Sequence, residues 1–270
     1  MLKNITPRIL IIICCCSFFS TTVLAKFSLN KVSNSKEKET AKIKAIKTTL
    51  ITSDKFKLIA DYYPGETLKG GVLLLQDCNA DRHSYKHLAE KLMMSGLHVL
   101  NLDFRGYGDS KTEKVSQLLI RKKAKNIREY QTAMTSLTSF WKGDSLLAFQ
   151  WLRNKVDKSK QIAIVSAGCS ANYAVTLAEK MHINSFVFIT PDMDFSDKER
   201  YKNVPDSSSY FISSAHQMES YKTAQELFEW NGARNSKVQI FKDKRSGHSL
   251  LQHQTGLAED ITYWLSQNLK

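Results

Sequence analysis

From residue 72 onward the chain repeats one pattern, a short apolar run followed by a segment with helical spacing of its apolar residues. Val72–Leu75, Val99–Leu102, Ile162–Val165, Phe186–Ile189, Tyr210–Ile212 and Val238–Phe241 have the length and composition of buried strands. Between and after them, residues 83–95, 145–156, 172–181, 219–230 and 251–269 read as helices. In the last of these, Leu257, Ile261, Trp264 and Leu265 fall on one side. Strands that alternate with helices pair in parallel and need helices on both faces. Ahead of the alternation, TTLIT and FKLIADYY flank Ser53-Asp54 and read as a hairpin that Pro64-Gly65 ends. The expected fold class is therefore α/β, a mostly parallel central sheet with an N-terminal antiparallel hairpin and helices on both faces. Ligands of such sheets sit at the carboxyl ends of the strands, so the loops there are where chemistry is to be sought.

The flanking segments set the domain plan. Lys3 and Arg8, the apolar run Ile9–Phe19 and then Ser20-Thr21-Thr22-Val23-Leu24-Ala25 read as a signal peptide cut after Ala25. The alternative is an uncleaved anchor, but the run of about 11 residues is short of the roughly 20 that a spanning helix needs. Residues 26–44 are a lysine-rich polar lead-in without periodicity. One domain then occupies 45–270. The chain is expected to be exported, periplasmic or secreted, and of its five cysteines only Cys78 and Cys169 would remain after cleavage.

The formal net charge is +13 over 270 residues, and it is concentrated. Residues 26–47 hold seven lysines against two glutamates, and residues 111–143 hold eight Lys/Arg against two glutamates. For an exported chain this points to anionic surfaces rather than nucleic acid, or else to a solubilising tail and a solvated helix face. There is no Gly-rich phosphate loop, dinucleotide fingerprint, HExxH or paired CxxC, so no cofactor or metal is implied. Nothing in the sequence specifies an oligomeric state.

Residues 71–110, GVLLLQDCNADRHSYKHLAEKLMMSGLHVLNLDFRGYGDS, carry a strand, a loop, a helix, a strand and the DFRGYGDS turn. With WKGDSLLAFQWLRNKVDKSKQIAIVSAGCSAN and KVQIFKDKRSGHS in the same order, the chain resembles the α/β-hydrolase superfamily over roughly residues 45–268. The short stretch between the sixth and seventh strands leaves no room for a large cap, and so resembles the compact, dienelactone-hydrolase-like branch. The resemblance implies a Ser-His-acid triad, an oxyanion hole and a small acyl or ester-like ligand.

Position by position, that triad is altered. In IAIVSAGCSANYAVTLA the strand register puts Ser166 and Ser170 at the two glycines of G-x-S-x-G and Gly168 at the nucleophile, which is then lost. A rival register makes Ser170 the nucleophile but needs a strand two residues longer. A third would use Cys169, whose side chain would point the wrong way. The acid position after the seventh strand reads Gln217, which accepts a hydrogen bond but carries no charge to stabilise imidazolium. Asp194 and Glu219 are alternative acids, or ordinary surface carboxylates. The base is His248 of Ser246-Gly247-His248-Ser249.

The oxyanion loop is Gln76-Asp77-Cys78-Asn79, with the N–H groups of Cys78 or Asn79 and of Cys169 as donors. If that assignment holds, Cys78 and Cys169 flank one hole and can be bridged, the alternative being two free buried thiols. Residues 111–143, with RKKAKNIR at 121–128, form a long basic insert that could roof the pocket or meet an anionic surface. The expectation is thus either a hydrolase-fold protein with degenerate catalytic machinery and a retained pocket, an active esterase using Ser170 and His248, or a basic surface-binding module.

Overall fold

The computed structural model describes residues 44–204 and 207–269. The signal peptide expected at 1–25, and all of the lead-in but Lys44, lie outside the described residues. Eight strands form one sheet there: β1 Ile46–Ile51, β2 Lys57–Tyr63, β3 Gly71–Leu75, β4 His98–Leu102, β5 Ile162–Ala167, β6 Ser185–Ile189, β7 Ser208–Ser214 and β8 Lys237–Phe241. Their spatial order is β1-β2-β4-β3-β5-β6-β7-β8. β1 and β2 pair antiparallel, β2 pairs antiparallel with β4, and every later pairing is parallel. The order reverses at β3, which lies between β4 and β5, so the crevice of a doubly wound sheet opens beyond β3 and β5.

Helices α1 Lys86–Met94, α4 Trp141–Arg153, α5 Ala171–Ala178, α7 Met218–Trp230 and α9 Leu257–Asn268 occupy the segments expected to be helical. The segment 251–269 is not one helix. It is divided between α8 Gly247–His253 and α9, because Gly256 takes φ +85° and starts a new turn. Helix α6 Phe195–Lys202 was not legible in the sequence, being almost wholly polar on a short surface turn. The insert contains α2 Gln117–Lys123 and α3 Ile127–Thr138.

Burial on both faces follows from strand alternation. Leu73 and Leu75 of β3 belong to one apolar cluster with Leu100, Ile164, Phe188 and Trp141. Val72 and Leu74 belong to the other with Val99, Val165, Leu88 and Leu265. Trp141 stacks on Phe104 at 4.3 Å between centroids and donates its indole N–H to Arg105 O.

The DFRGYGDS turn is held by charge rather than by packing alone. Asp103 is fully buried and accepts from the backbone N–H of Arg82 (2.7 Å) and of Asp109 (2.8 Å), and from the Arg82 guanidinium. Burial pushes the Asp103 carboxyl up, against those donors. Arg82 also reaches Asp61 (3.0 Å) and Asp109 (2.8 Å). A Cβ at Gly108 would lie 2.1 Å from the Asp103 carboxylate, which is why the turn carries glycine there. Replacing Arg82 by alanine leaves a buried carboxylate without its counter-charge, so R82A is expected to lose about 3–5 kcal/mol. Urea unfolding of the two proteins measures it, and a loss below about 1 kcal/mol would mean that the ion cluster contributes little net stability.

Candidate functional site

β5 ends at Ala167, and the sharp turn into α5 falls on Gly168, whose φ is +52°. This is a backbone conformation that L side chains rarely adopt, and here the residue offers no side chain at all. Ser170, the alternative nucleophile, is fully buried. Its Oγ accepts from Ala167 N (2.9 Å) and directs its single proton at the carbonyls of Leu75 and Ala167, each 3.0 Å away. The reading of Ser170 as nucleophile is therefore corrected: the hydroxyl closes the turn beneath the site instead of facing it.

His248 opens α8, one residue after Gly247. Its Nδ1 lies 2.8 Å from Asp77 Oδ2, and its backbone N–H donates to the same oxygen at 2.8 Å. The carboxylate partner thus comes from the loop after β3, not from the loop after β7. Asp194 instead caps α6, accepting from Asp197 N at 2.8 Å. Glu219 is 90% exposed and faces Lys222 at 3.7 Å. Neither alternative acid is hydrogen-bonded to His248. Gln217 stands at the start of α7 and donates its amide to Lys244 O, which ties the loops after β7 and β8 together.

Asp77 is the residue that sequence reasoning passed over. Oδ1 accepts from Asn79 N at 2.9 Å, and the Tyr85 hydroxyl lies 3.3 Å from Oδ2. The Asn79 amide, one of the expected oxyanion donors, is therefore committed to a neighbouring carboxylate, which leaves those of Cys78 and Cys169. Gly247 has φ +52°, and a Cβ on it would lie 2.0 Å from Asp77 Oδ2. Only glycine lets the loop approach the carboxylate so closely. Gly247 N donates to Thr190 Oγ1 at 2.7 Å, and Thr190 follows β6 with φ +44°. A β-branched residue in that region is strained, and such strain collects at functional sites. The available signal was the acidic residue in the oxyanion loop itself.

The charges of the pair support each other. Burial pushes the Asp77 carboxyl up, but the His248 and Asn79 donors outweigh it and hold it below the usual carboxylate range. The bond to Asp77 holds His248 above the usual imidazole value, against partial burial. The resting state is therefore an Asp77 carboxylate beside a His248 that holds its proton to higher pH than a free imidazole does.

Cys78 and Cys169 form a disulfide, with their Cα atoms 5.9 Å apart and their positions 91 apart in sequence. It joins the loop after β3 to the turn after β5. A cleft of about 430 Å³ opens beside it, bordered by Gly168, Cys169, Thr190, Asp192, His216 and Glu219 among others. No Lys or Arg borders this cleft. A second cleft, of about 510 Å³, lies on the other side of Cys78 and Asn79 and is bordered by Tyr107, Lys111, Gln117, Leu118 and Arg121. The insert therefore borders the second cleft, and it contributes no residue to the lining of the first. Among the described residues no cluster of His, Cys, Asp or Glu is arranged to hold a metal ion.

No protein-family model matches the chain, and no curated protein sequence does. Solved structures do. An esterase of Pyrococcus furiosus superposes with a TM-score of 0.61 at 14% identity, over 84% of this chain and 94% of that one. A dienelactone hydrolase of Anabaena variabilis gives 0.59 at 14%, over 83% and 96%. A cold-adapted esterase from an Arctic intertidal metagenomic library gives 0.57 at 13%, over 88% and 99%. At these identities the likeness shows the fold, which is that of the α/β hydrolases.

Two outcomes are expected from this geometry. The His248 contribution to stability is complete below the unfolded imidazole value near 6.5 and is lost as pH rises through the higher folded value. The Asp77 contribution is complete above the unfolded carboxyl value near 3.9 and is lost as pH falls through the lower folded value. The pair is worth most between about pH 4 and pH 6.5. NMR titration of the His248 ring should give a midpoint above 6.5 that drops in D77N; an unchanged midpoint in D77N would rule out the pairing. Second, the peptides that hold Cys78 and Cys169 should stay linked until reduction, and C169S should cost about 2–5 kcal/mol. Separate, freely alkylated peptides from unreduced protein would exclude the bridge.

Proposed function

We propose that this α/β-hydrolase-fold chain is an exported protein that binds, and does not hydrolyse, a small acyl or ester-like molecule in the cleft at the carboxyl ends of β3, β5, β6 and β7. One observation carries the reading. The turn that should present a nucleophile presents Gly168, so the His248–Asp77 pair has no hydroxyl on that turn to activate. A serine hydrolase needs a hydroxyl within hydrogen-bond reach of its base, and the nearest candidate in sequence, Ser170, is buried and bonded elsewhere.

The cleft itself supports binding. It is large enough for a small molecule and has polar groups at several points, among them Thr190, His216 and Ser246. Asp77, Asp192 and Glu219 are in its lining and no Lys or Arg among the described residues is, which favours a neutral or cationic ligand over an anionic one. The disulfide supports the export reading, because such bonds persist in oxidising compartments.

The test is exposure of the purified protein to a fluorophosphonate probe, with intact mass and adduct mapping, beside an authentic serine hydrolase. No adduct is expected under conditions that label the control fully. An adduct on Ser170, or on any other serine bordering the cleft, would overturn the reading and make the protein a working hydrolase.

A further inference from the structure

The insert between β4 and α4 is a built structure with an unsatisfied surface. Asn126 caps α3, its side chain accepting from Glu129 N at 2.9 Å, while Glu129 Oε2 accepts from Lys125 N at 2.9 Å. The two helices are thus set against a defined turn at residues 124–126. Yet α2 buries none of its seven residues, although it reads QLLIRKK. α3 buries only Leu137 of its twelve. Leu118 is 66% exposed and Ile127 69%.

The cations of the same segment are equally unpartnered. Arg121, Lys122, Lys123, Lys125 and Arg128 are exposed, and none forms an ion pair with a carboxylate among the described residues. Glu129, the one acidic residue within 114–143, is spent on the α3 cap. On α2, Arg121 and Lys122 lie three and four residues after Leu118 and share its face. Lys123, Lys125 and Arg128 lie within four residues of Ile127 in the sequence, at the turn between the helices. An exposed apolar residue set among free cations fits the boundary between anionic headgroups and acyl chains, where the side chain enters and the charges meet phosphate. Leu119 and Ile120 are half-buried, which leaves Leu118 as the exposed apolar side chain among the cations of α2.

From this we infer that the α2–α3 hairpin docks the protein on an anionic lipid bilayer, with Leu118 and Ile127 entering the headgroup region and Arg121, Lys122, Lys123, Lys125 and Arg128 facing its phosphates. The docked surface adjoins the second cleft, whose rim includes Leu118, Arg121 and Lys111. The inference does not depend on whether the first cleft binds or hydrolyses its ligand.

Co-sedimentation of the purified protein with phosphatidylglycerol/phosphatidylcholine vesicles tests it, against pure phosphatidylcholine vesicles. Binding to the anionic vesicles, release in 0.5 M salt and no binding to the neutral ones are expected, with the chosen salt about three times physiological ionic strength or more. The triple variant Arg121→Gln, Lys122→Gln, Lys125→Gln should lower the partition coefficient at least ~30-fold. Leu118→Ser with Ile127→Ser should lower it roughly tenfold while keeping the salt dependence. These positions are exposed, and an unchanged thermal melt establishes that each variant is folded. Absence of vesicle binding at low salt would overturn the inference, even if the protein were retained on a soluble polyanion such as heparin. So would full binding by the triple variant together with its loss on replacing Lys26, Lys31, Lys36 and Lys38, which would assign the contact to the lead-in.

Discussion

The Asp77 carboxylate ties the carboxyl end of the sheet together. It lies on the loop after β3 and takes two donors from His248 after β8. Its Cβ sits 3.2 Å from where a side chain on Gly168 after β5 would begin. Through Gly247 the same loop is held by Thr190 after β6. The disulfide adds a covalent link between two of these loops, at Cys78 and Cys169. Four strand ends therefore share one small polar core, and its geometry depends on three residues of special backbone: Gly168, Gly247 and Thr190.

That arrangement explains why several altered positions occur together. A serine base takes the nucleophile's proton and passes it to the leaving group, and a carboxylate on its Nδ1 orients the ring and stabilises the imidazolium that forms. A carboxylate bonded both to the ring and to the backbone of His248 raises the proton affinity of the ring and fixes its direction. With no side chain on Gly168, the turn itself offers that ring no hydroxyl to activate. With Gln217 bonded to Lys244 O, no acid is needed after β7. The altered positions are consistent with each other.

The fold was legible because it is written in periodicity. Two apolar clusters face each other across a sheet whose strands are apolar on both sides, and short runs such as Val72–Leu75 and Phe186–Ile189 can satisfy that only when buried. The positions of Gly168, Gln217 and His248 at strand ends were legible for the same reason, since strand ends fix them. The partnership of Asp77 with His248 was not. The two residues lie 171 positions apart, and their contact depends on a left-handed glycine next to the histidine, which leaves no periodic trace. Ser170 stayed open as a rival nucleophile because a serine within G-x-S is chemically plausible wherever the turn falls. Only the hydrogen bonds to Leu75 and Ala167 show that its hydroxyl points under the turn. Helix α6 was missed because a polar eight-residue helix with one buried side chain, Tyr201, has no apolar stripe to read.

The same division of labour bears on why such a chain keeps its architecture while its site changes. Much of the stability is held outside the cleft: in the two apolar clusters, the Arg82 ion cluster on the DFRGYGDS turn, and Arg105 clamped between Asp54 and Asp144 with its guanidinium over Phe56 and Phe140. None of these passes through Gly168, Gln217 or His248. The loops at the strand ends are fixed by the Asp77 contacts and the disulfide. The resemblance of DFRGYGDS to working hydrolases consequently reports on a structural turn, whose buried carboxylate needs its arginine whatever the cleft does. It carries the fold, and the chemistry must be read from the few side chains that meet at Asp77.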